Sequence, residues 1–500
     1  MISAPAWLLT LPIVFPLIMA VFCLLLPANL LRTAGKTGAC CTAVTTLPPL
    51  HWVWLRGQLH QSPGGWGAPL GIDLYLDGLS CIFLLFTALT GLCISLCAAD
   101  YFPRSQAGHR SRGDLFWPLW FVTWGGMNTL FLTLDLFNIY VTLELISIAG
   151  TGLILIAGTP GSIRAALQYQ MQALIAGLIY LLGVGLIYNR LGTLDLQLIA
   201  QSLRPDPLLN TGMALMVVGL LIKAALFPMH FWLPKAHADA PAPVSAVLSG
   251  LVVTVAYVIV FRLWFAGLHI LAPRVLPQLL GLLGSAGILW GGLLALQQTR
   301  LKRVLAYSTV SQVGYLFLVF SLTFQTDAGQ GLVWAGTVYM AIAHGLAKSA
   351  AFLAAGWLQK AEGSDSFEAL RGAGLRHPGA VMVLAVASIN LIGLPPSTGF
   401  IGKWMMLKAS FFTRQWGIAV LILGGGLLSA AYLFRVFEVL LHPDQSRASK
   451  SVRPEISLWP AMLLALATLL PVLYITAPEE LLKIGAPVSF RAFLSPGATP

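Results

Sequence analysis

The stretch Leu221–Gly250 reads LIKAALFPMHFWLPKAHADAPAPVSAVLSG, a lysine inside an apolar run that prolines then interrupt. Proline lacks an amide donor and clashes with the preceding turn, so a helix carrying Lys223 must open near Pro228. An ionised group at membrane depth is costly and is retained where it meets a partner or water. The segment therefore predicts a broken membrane helix with a buried cation at the break.

The rest of the chain fits that setting. Its 500 residues are 57% hydrophobic and only 9% charged, against about 25% charged in a soluble domain. Apolar runs of about 20 residues, enough helix to cross ~30 Å of hydrocarbon, recur without the period-2 alternation of a membrane barrel. Their approximate positions are 5–27, 38–55, 77–99, 115–134, 137–157, 164–189, 212–233, 242–268, 272–294, 303–323, 330–357, 378–409, 415–440 and 456–477. The expectation is an all-α polytopic membrane protein of about fourteen transmembrane helices. The first run lacks a basic leader and a small-residue cleavage site, so it reads as a retained helix. The longest connections, near 56–76, 190–211 and 358–377, are too short for a cofactor-binding domain, and no cofactor is expected in this chain.

Lys and Arg divide unevenly between alternate loops. One set holds Arg32, Lys36, Arg104, Arg110, Arg112, Arg164, Lys235, Arg300, Lys302, Arg303, Lys360, Arg371, Arg376, Arg447, Lys450 and Arg453; the other holds mainly Arg56, Arg190, Arg204, Arg274 and Arg414. The positive-inside rule assigns the first set to the cytoplasm, and an even number of spans then leaves both termini outside. The net charge of +11 follows from this bias and suits an anionic lipid leaflet. Without a basic helix or an aromatic platform, nucleic acid is not an expected partner. Cys23, Cys40, Cys41, Cys81, Cys93 and Cys97 form no C-x-x-C pair and read as small buried hydrophobes rather than a metal or redox site.

The chemistry is expected at the few ionisable groups within the apolar runs. Glu144 lies mid-span in LFNIYVTLELISIAGTGLIL, where a charge costs ~2.5–3.5 kcal/mol or more. Lys223 is its natural partner: burial lowers a lysine's proton affinity and a nearby carboxylate raises it, so movement of Glu144 would switch Lys223 between charged and neutral. In MAIAHGLAKSAAFLAAG, His344 and Lys348 are spaced i, i+4 and share one helix face, as a proton relay requires. In LIGLPPSTGFIGKWMMLKA, Pro395 and Pro396 interrupt a second span and Lys403 follows. A proline-broken helix with a lysine in each half of a chain is the pattern of internal repeats with sites at discontinuous helices. Between these groups YSTVSQVGY supplies Tyr307, Ser308, Thr309, Ser311 and Gln312, side chains that could hold relay waters or simply bond helix to helix.

Four ordered motifs, LIKAALFPMHFWLPKAHADAPAPVSAVLSG, LKRVLAYSTVSQVGY, AHGLAKSAAFLAAG and GLPPSTGFIGKW, resemble the antiporter-type proton-translocating subunits of Mrp cation/proton antiporters, respiratory complex I and membrane-bound hydrogenases. The similarity runs from about residue 70 to 440. It implies fourteen helices with two inverted five-helix repeats, and hence the divisions 1–114, 115–270, 271–440 and 441–500. It further implies a charged axis along the membrane midplane. On that axis Glu144 is the carboxylate of the fifth span, Lys223 the lysine of the broken seventh, His344 and Lys348 the eleventh-span relay, and Lys403 the terminal lysine of the broken twelfth.

The chain departs from the family at several points. Thr254 stands where many relatives carry a lysine that links the half-channels, Ser249 stands where others have a histidine, and Lys235 and Arg300 replace acidic loop residues. Lys403 in place of glutamate, and the chain's end soon after the last span, resemble Mrp D-type and hydrogenase-type members. The resemblance implies a proton-translocating subunit of a multisubunit complex in a bacterial-type inner membrane, most similar to the antiporter D type. Its partners would be other integral membrane subunits, lipid, protons and a monovalent cation. Two alternatives are the proton-pumping arm of a redox complex and a structural subunit whose path is interrupted at Thr254.

Overall fold

The computed structural model describes residues 4–103, 109–204, 206–268, 275–323, 330–443, 454–469 and 476–486. Arg104, Arg274, Arg447, Lys450 and Arg453 lie outside the described residues, as does the chain beyond residue 486. Among the described residues the protein is a helical bundle, with nine helices long and apolar enough to cross a membrane. A short antiparallel pair, Leu59–Gln61 with Leu74–Leu76 in the register Leu59↔Leu76, occupies the connection that the sequence leaves unassigned near 56–76.

Three long helices form the interior. The apolar window of Ala242–Gly267 is wholly buried, and those of Leu301–Leu322 and Gly331–Glu362 are 94% buried, so polar side chains on them face protein. The outer helices, such as Trp416–Leu441, leave an apolar face exposed, as a lipid-facing surface requires. Close helix contact is built from small residues. Gly183 and Gly219 press against the backbone of the Pro207–Lys223 helix and its neighbour, while Gly284 and Gly314 face one another's carbonyls between Val275–Gln297 and Leu301–Leu322. A Cβ at these positions would meet backbone, which cannot swing aside.

Acidic residues fix several helix starts. Asp77, Asp135, Asp195 and Asp206 each accept backbone N–H groups from the first turn of the helix that follows, satisfying donors that the helix itself leaves unpaired. For the half-buried Asp206, the Leu209 amide is the largest influence holding its carboxyl below the ordinary aspartate range, with Leu208 and Arg190 adding to it.

Two spans are interrupted. Pro207–Lys223 stops in the bundle, and Ala224–Trp232, which contains Pro228, separates it from Leu233–Asp239. Ala225 takes φ 54° in that break. Pro378–Ile392 ends at Gly393, φ 88°, and Thr398–Phe412 restarts after Pro395 and Pro396 with Ser397 accepting the Phe400 amide. The interior helix Ala242–Gly267 has a wider, π-type turn over Leu248–Val252, a local irregularity that no residue pattern announces.

The structure corrects three readings. The span at 38–55 is two helices, Ala28–Val44 and Leu47–Arg56; Thr45 and Thr46 turn their hydroxyls onto the Thr42 and Ala43 carbonyls, and Pro48 and Pro49 start the second helix. Cys40 and Cys41 are exposed rather than buried, while the other four cysteines are interior. Lys302, assigned to a cytoplasmic loop, is a buried first-turn residue of Leu301–Leu322.

Candidate functional site

Lys223 ends its half-helix, and the break lets the side chain leave the helix axis. Its Nζ donates to Glu144 Oε1 at 2.9 Å and to Ser147 Oγ at 2.9 Å, with side-chain exposures of 7% for Lys223 and 16% for Glu144. Glu144 and Ser147 lie within one turn on Leu136–Leu155. At the same break the Ile222 carbonyl accepts the Trp232 indole N–H at 3.2 Å as well as the Ala225 amide at 3.1 Å, and Trp232 packs on Tyr169. Beyond Lys223 a cavity of about 20 Å³ reaches Val252, Val255 and Ala256 on the interior helix, large enough for one water.

The second cluster lies across that helix. Lys348 is fully buried; its Nζ donates to the Leu305 carbonyl at 2.9 Å and to Ser308 Oγ. One turn away, His344 is fully buried with its ring beside the Ser249 backbone. Ser249 and Thr309 share a hydroxyl contact of 2.8 Å between the interior helix and Leu301–Leu322. Thr254 turns its hydroxyl onto the Gly250 carbonyl of its own helix at 3.0 Å.

Lys403 forms the third cluster. Its Nζ donates to the Leu391 and Ile392 carbonyls at 3.0 Å each, the C-terminal end of the preceding half-helix, where partial negative charge collects. The same Nζ stands 4.3 Å from the centre of the Tyr315 ring, a cation–π contact. Gln312 Nε2 also donates to the Leu391 carbonyl, at 3.0 Å. The Tyr432 hydroxyl, bonded to Ser429, lies within reach of both Ser308 and Gln312. Asn390 ties this break to the His344 helix by donating to the Ala343 carbonyl and accepting the Gly399 amide.

The structure thus brings Lys348, Ser308, Gln312 and Lys403 into one connected region and pairs Glu144 with Lys223 in another. Ser249 and the small cavity lie between them. Ser311 is spent on the Ile288 carbonyl, and Tyr307 is only half-buried and joins none of these contacts. These contacts therefore gather on one face of Leu301–Leu322 and do not involve the whole YSTVSQVGY motif.

Residues 133–429 match the family described as NADH:quinone oxidoreductase/Mrp antiporter, TM. The chain belongs to that family. It is 34% identical over 383 residues, 75% of this chain and 74% of the relative, to an NADH-quinone oxidoreductase subunit N of Desulforudis audaxviator. It is 28% identical over 473 residues, 92% of each chain, to the D-type Na(+)/H(+) antiporter subunit of Bacillus subtilis. A chain of the Mrp complex from Dietzia sp. DQ12-45-1b has the same fold, with TM-score 0.84, 22% identity and coverage of 98% and 99% of the two chains. The family match covers Glu144, Lys223, Lys348 and Lys403.

Sequence reasoning missed three elements of this family member's interior. His237 is fully buried beside Lys302, whose Nζ donates to the Ala238 carbonyl at 3.3 Å and to that of Ala240. Arg262 is buried and donates to Asp77 Oδ1 at 3.0 Å and Ser80 Oγ at 2.9 Å. Tyr315 and Tyr432 complete the Lys403 region. His237 stood in plain view within AHADAP, but only the fold shows that its short helix turns inward.

Proposed function

We propose that this chain is the proton-translocating subunit of a multisubunit membrane complex, of the cation/proton antiporter D type. The observation that carries the reading is the ion pair of Lys223 and Glu144 at the end of a half-helix. A buried pair contributes little net stability because desolvation offsets its Coulomb attraction. It is well suited to switching, because separating the partners changes which of them holds a proton. Glu144 sets the charge of Lys223, protons move laterally through water and hydroxyls to His344 and Lys348, and they leave through Lys403. Ser249, with Thr309, is the bridge between the halves.

The same proposal includes fourteen crossings, the two broken spans among them, and two inverted repeats over 115–270 and 271–440 after an N-terminal unit of 1–114, with 441–500 closing the chain. It places the protein in a bacterial-type inner membrane with both termini outside. Its partners are other integral membrane subunits and lipid, and the coupling ion is a monovalent cation such as the Na(+) named for the Bacillus subtilis relative. A second reading, a proton-pumping arm of a redox complex, is favoured by the 34% identity to a quinone oxidoreductase subunit.

Glu144→Ala tests the mechanism in everted native membrane vesicles. Cation-driven proton movement is expected to vanish while the complex stays assembled; normal movement by an assembled variant would overturn it. Mass spectrometry of the gently extracted complex separates the two readings. Small hydrophobic subunits support the antiporter, and subunits carrying flavin, iron–sulfur or nickel support the redox arm.

A further inference from the structure

His237 lies in Leu233–Asp239, the short helix that resumes after the first break. Its side chain has no solvent exposure, and neither ring nitrogen has a hydrogen-bond partner among the described residues. A buried imidazole with both nitrogens unsatisfied costs free energy that an apolar ring at the same place would avoid. Packing alone therefore does not account for it.

Its surroundings point to proton transfer. The ring packs 5.2 Å from Phe352, and Phe352, Lys348 and His344 follow one another at i+4 steps along one face of Gln330–Glu362. His237 is thus one turn beyond Lys348 along the same face. Lys302, Lys348 and His344 are the charged and titratable groups whose fields reach it. Lys302 in turn is held to the carbonyls of Ala238 and Ala240, and its amide faces Asp365. Asp365 pairs with Arg300 at 2.9 Å, and Arg300 stands 3.8 Å from Asp239. Arg300 and Asp239 are about a third exposed, so this ionic cluster reaches the protein surface while Lys302 and His237 lead inward.

We propose that His237 carries protons from the Asp239–Arg300–Asp365 surface cluster, by way of Lys302, to Lys348. This rests on the proton-translocating reading above and adds to it a separate access route into the second half of the axis. One ring nitrogen takes a proton from the Lys302 ammonium, and the other releases one to the Lys348 amine, through water or a side-chain rotation. Imidazole passes through imidazolium and returns neutral as the other tautomer. Lys302 recovers its proton from water at the acidic cluster, so one proton moves and no charge is lost.

The test uses the assembled complex in everted native vesicles, with Glu144→Ala as a reference. His237→Phe keeps a ring against Phe352 but cannot carry a proton, and is expected to lower cation-driven proton movement at least tenfold with assembly unchanged. His237→Ala leaves space beside Phe352, and added imidazole is expected to restore a measurable part of its rate, a response that lost packing would not give. Wild-type rates in an assembled His237→Phe variant, with Glu144→Ala inactive, would overturn this route alone. Wild-type rates in both variants would overturn the reading on which it rests.

Discussion

Gly177 faces Glu144 so closely that a Cβ built on the glycine would fall on the carboxylate oxygen Oε1, the atom that accepts the Lys223 ammonium. The carboxylate is the far end of a flexible side chain, so Gly177→Ala is expected to fold while pushing Glu144 off Lys223. Displacing a reacting group by about 1 Å can lower a rate roughly 100-fold, and proton movement in vesicles is expected to fall by 10-fold or more on that basis. Pairing Gly177→Ala with Glu144→Asp, which shortens the side chain by one methylene, is expected to recover part of the loss. A Gly177→Ala variant with unchanged transport would mean that the placement of Glu144 is not critical.

The bridge between the halves is tested by two hydroxyls on the interior helix. Ser249 shares its contact with Thr309 of the neighbouring helix, whereas Thr254 is turned back onto Gly250. Ser249→Ala is therefore expected to slow proton transfer severalfold, and Thr254→Val to leave it within about twofold, less than 0.5 kcal/mol of barrier. The opposite order, measured as initial rates in the same vesicles, would move the bridge to Thr254.

Arg262, near the end of the interior helix, and Asp77 form a buried pair. Removing one partner of such a pair leaves an uncompensated charge and costs about 3–5 kcal/mol, while replacing both is often neutral. Arg262→Met is expected to lower the Tm of the purified complex clearly. Asp77→Asn combined with Arg262→Met, in which asparagine can still accept the Ser80 amide, is expected to recover most of it. A Tm loss in the double variant as large as in Arg262→Met would show that the cost does not come from the carboxylate left without its partner.

How far the sequence reaches can be judged at particular residues. The energetic penalty for charge in hydrocarbon singles out Glu144, Lys223 and Lys348, and proline chemistry marks both breaks, because these effects are local. Lys302 shows the limit: in the basic run LKR, Lys302 is buried and Arg303 exposed, since neighbouring helix positions point about 100° apart and composition does not say which faces the core. Arg262 pairs across 185 residues with Asp77, a separation that no periodicity bridges. The π-type turn at Leu248–Val252 of the interior helix has no residue signature.

Lys403 allows its two possible tasks to be separated. As a cation on the Leu391 and Ile392 carbonyls, beneath the Tyr315 ring, it stabilises the end of a half-helix, and any permanent cation of sufficient reach would do the same. As a proton carrier it must lose its proton during each cycle. Arginine keeps the charge, the donors and the affinity for an aromatic face but does not deprotonate in proteins. Lys403→Met should therefore lower both Tm and transport, because the carbonyls lose their donor and the axis loses its terminal group. Lys403→Arg should retain a Tm close to wild type and an intact complex, yet show no coupled proton movement. Wild-type transport by Lys403→Arg would make Lys403 a structural cap and move the last proton-carrying step to another residue.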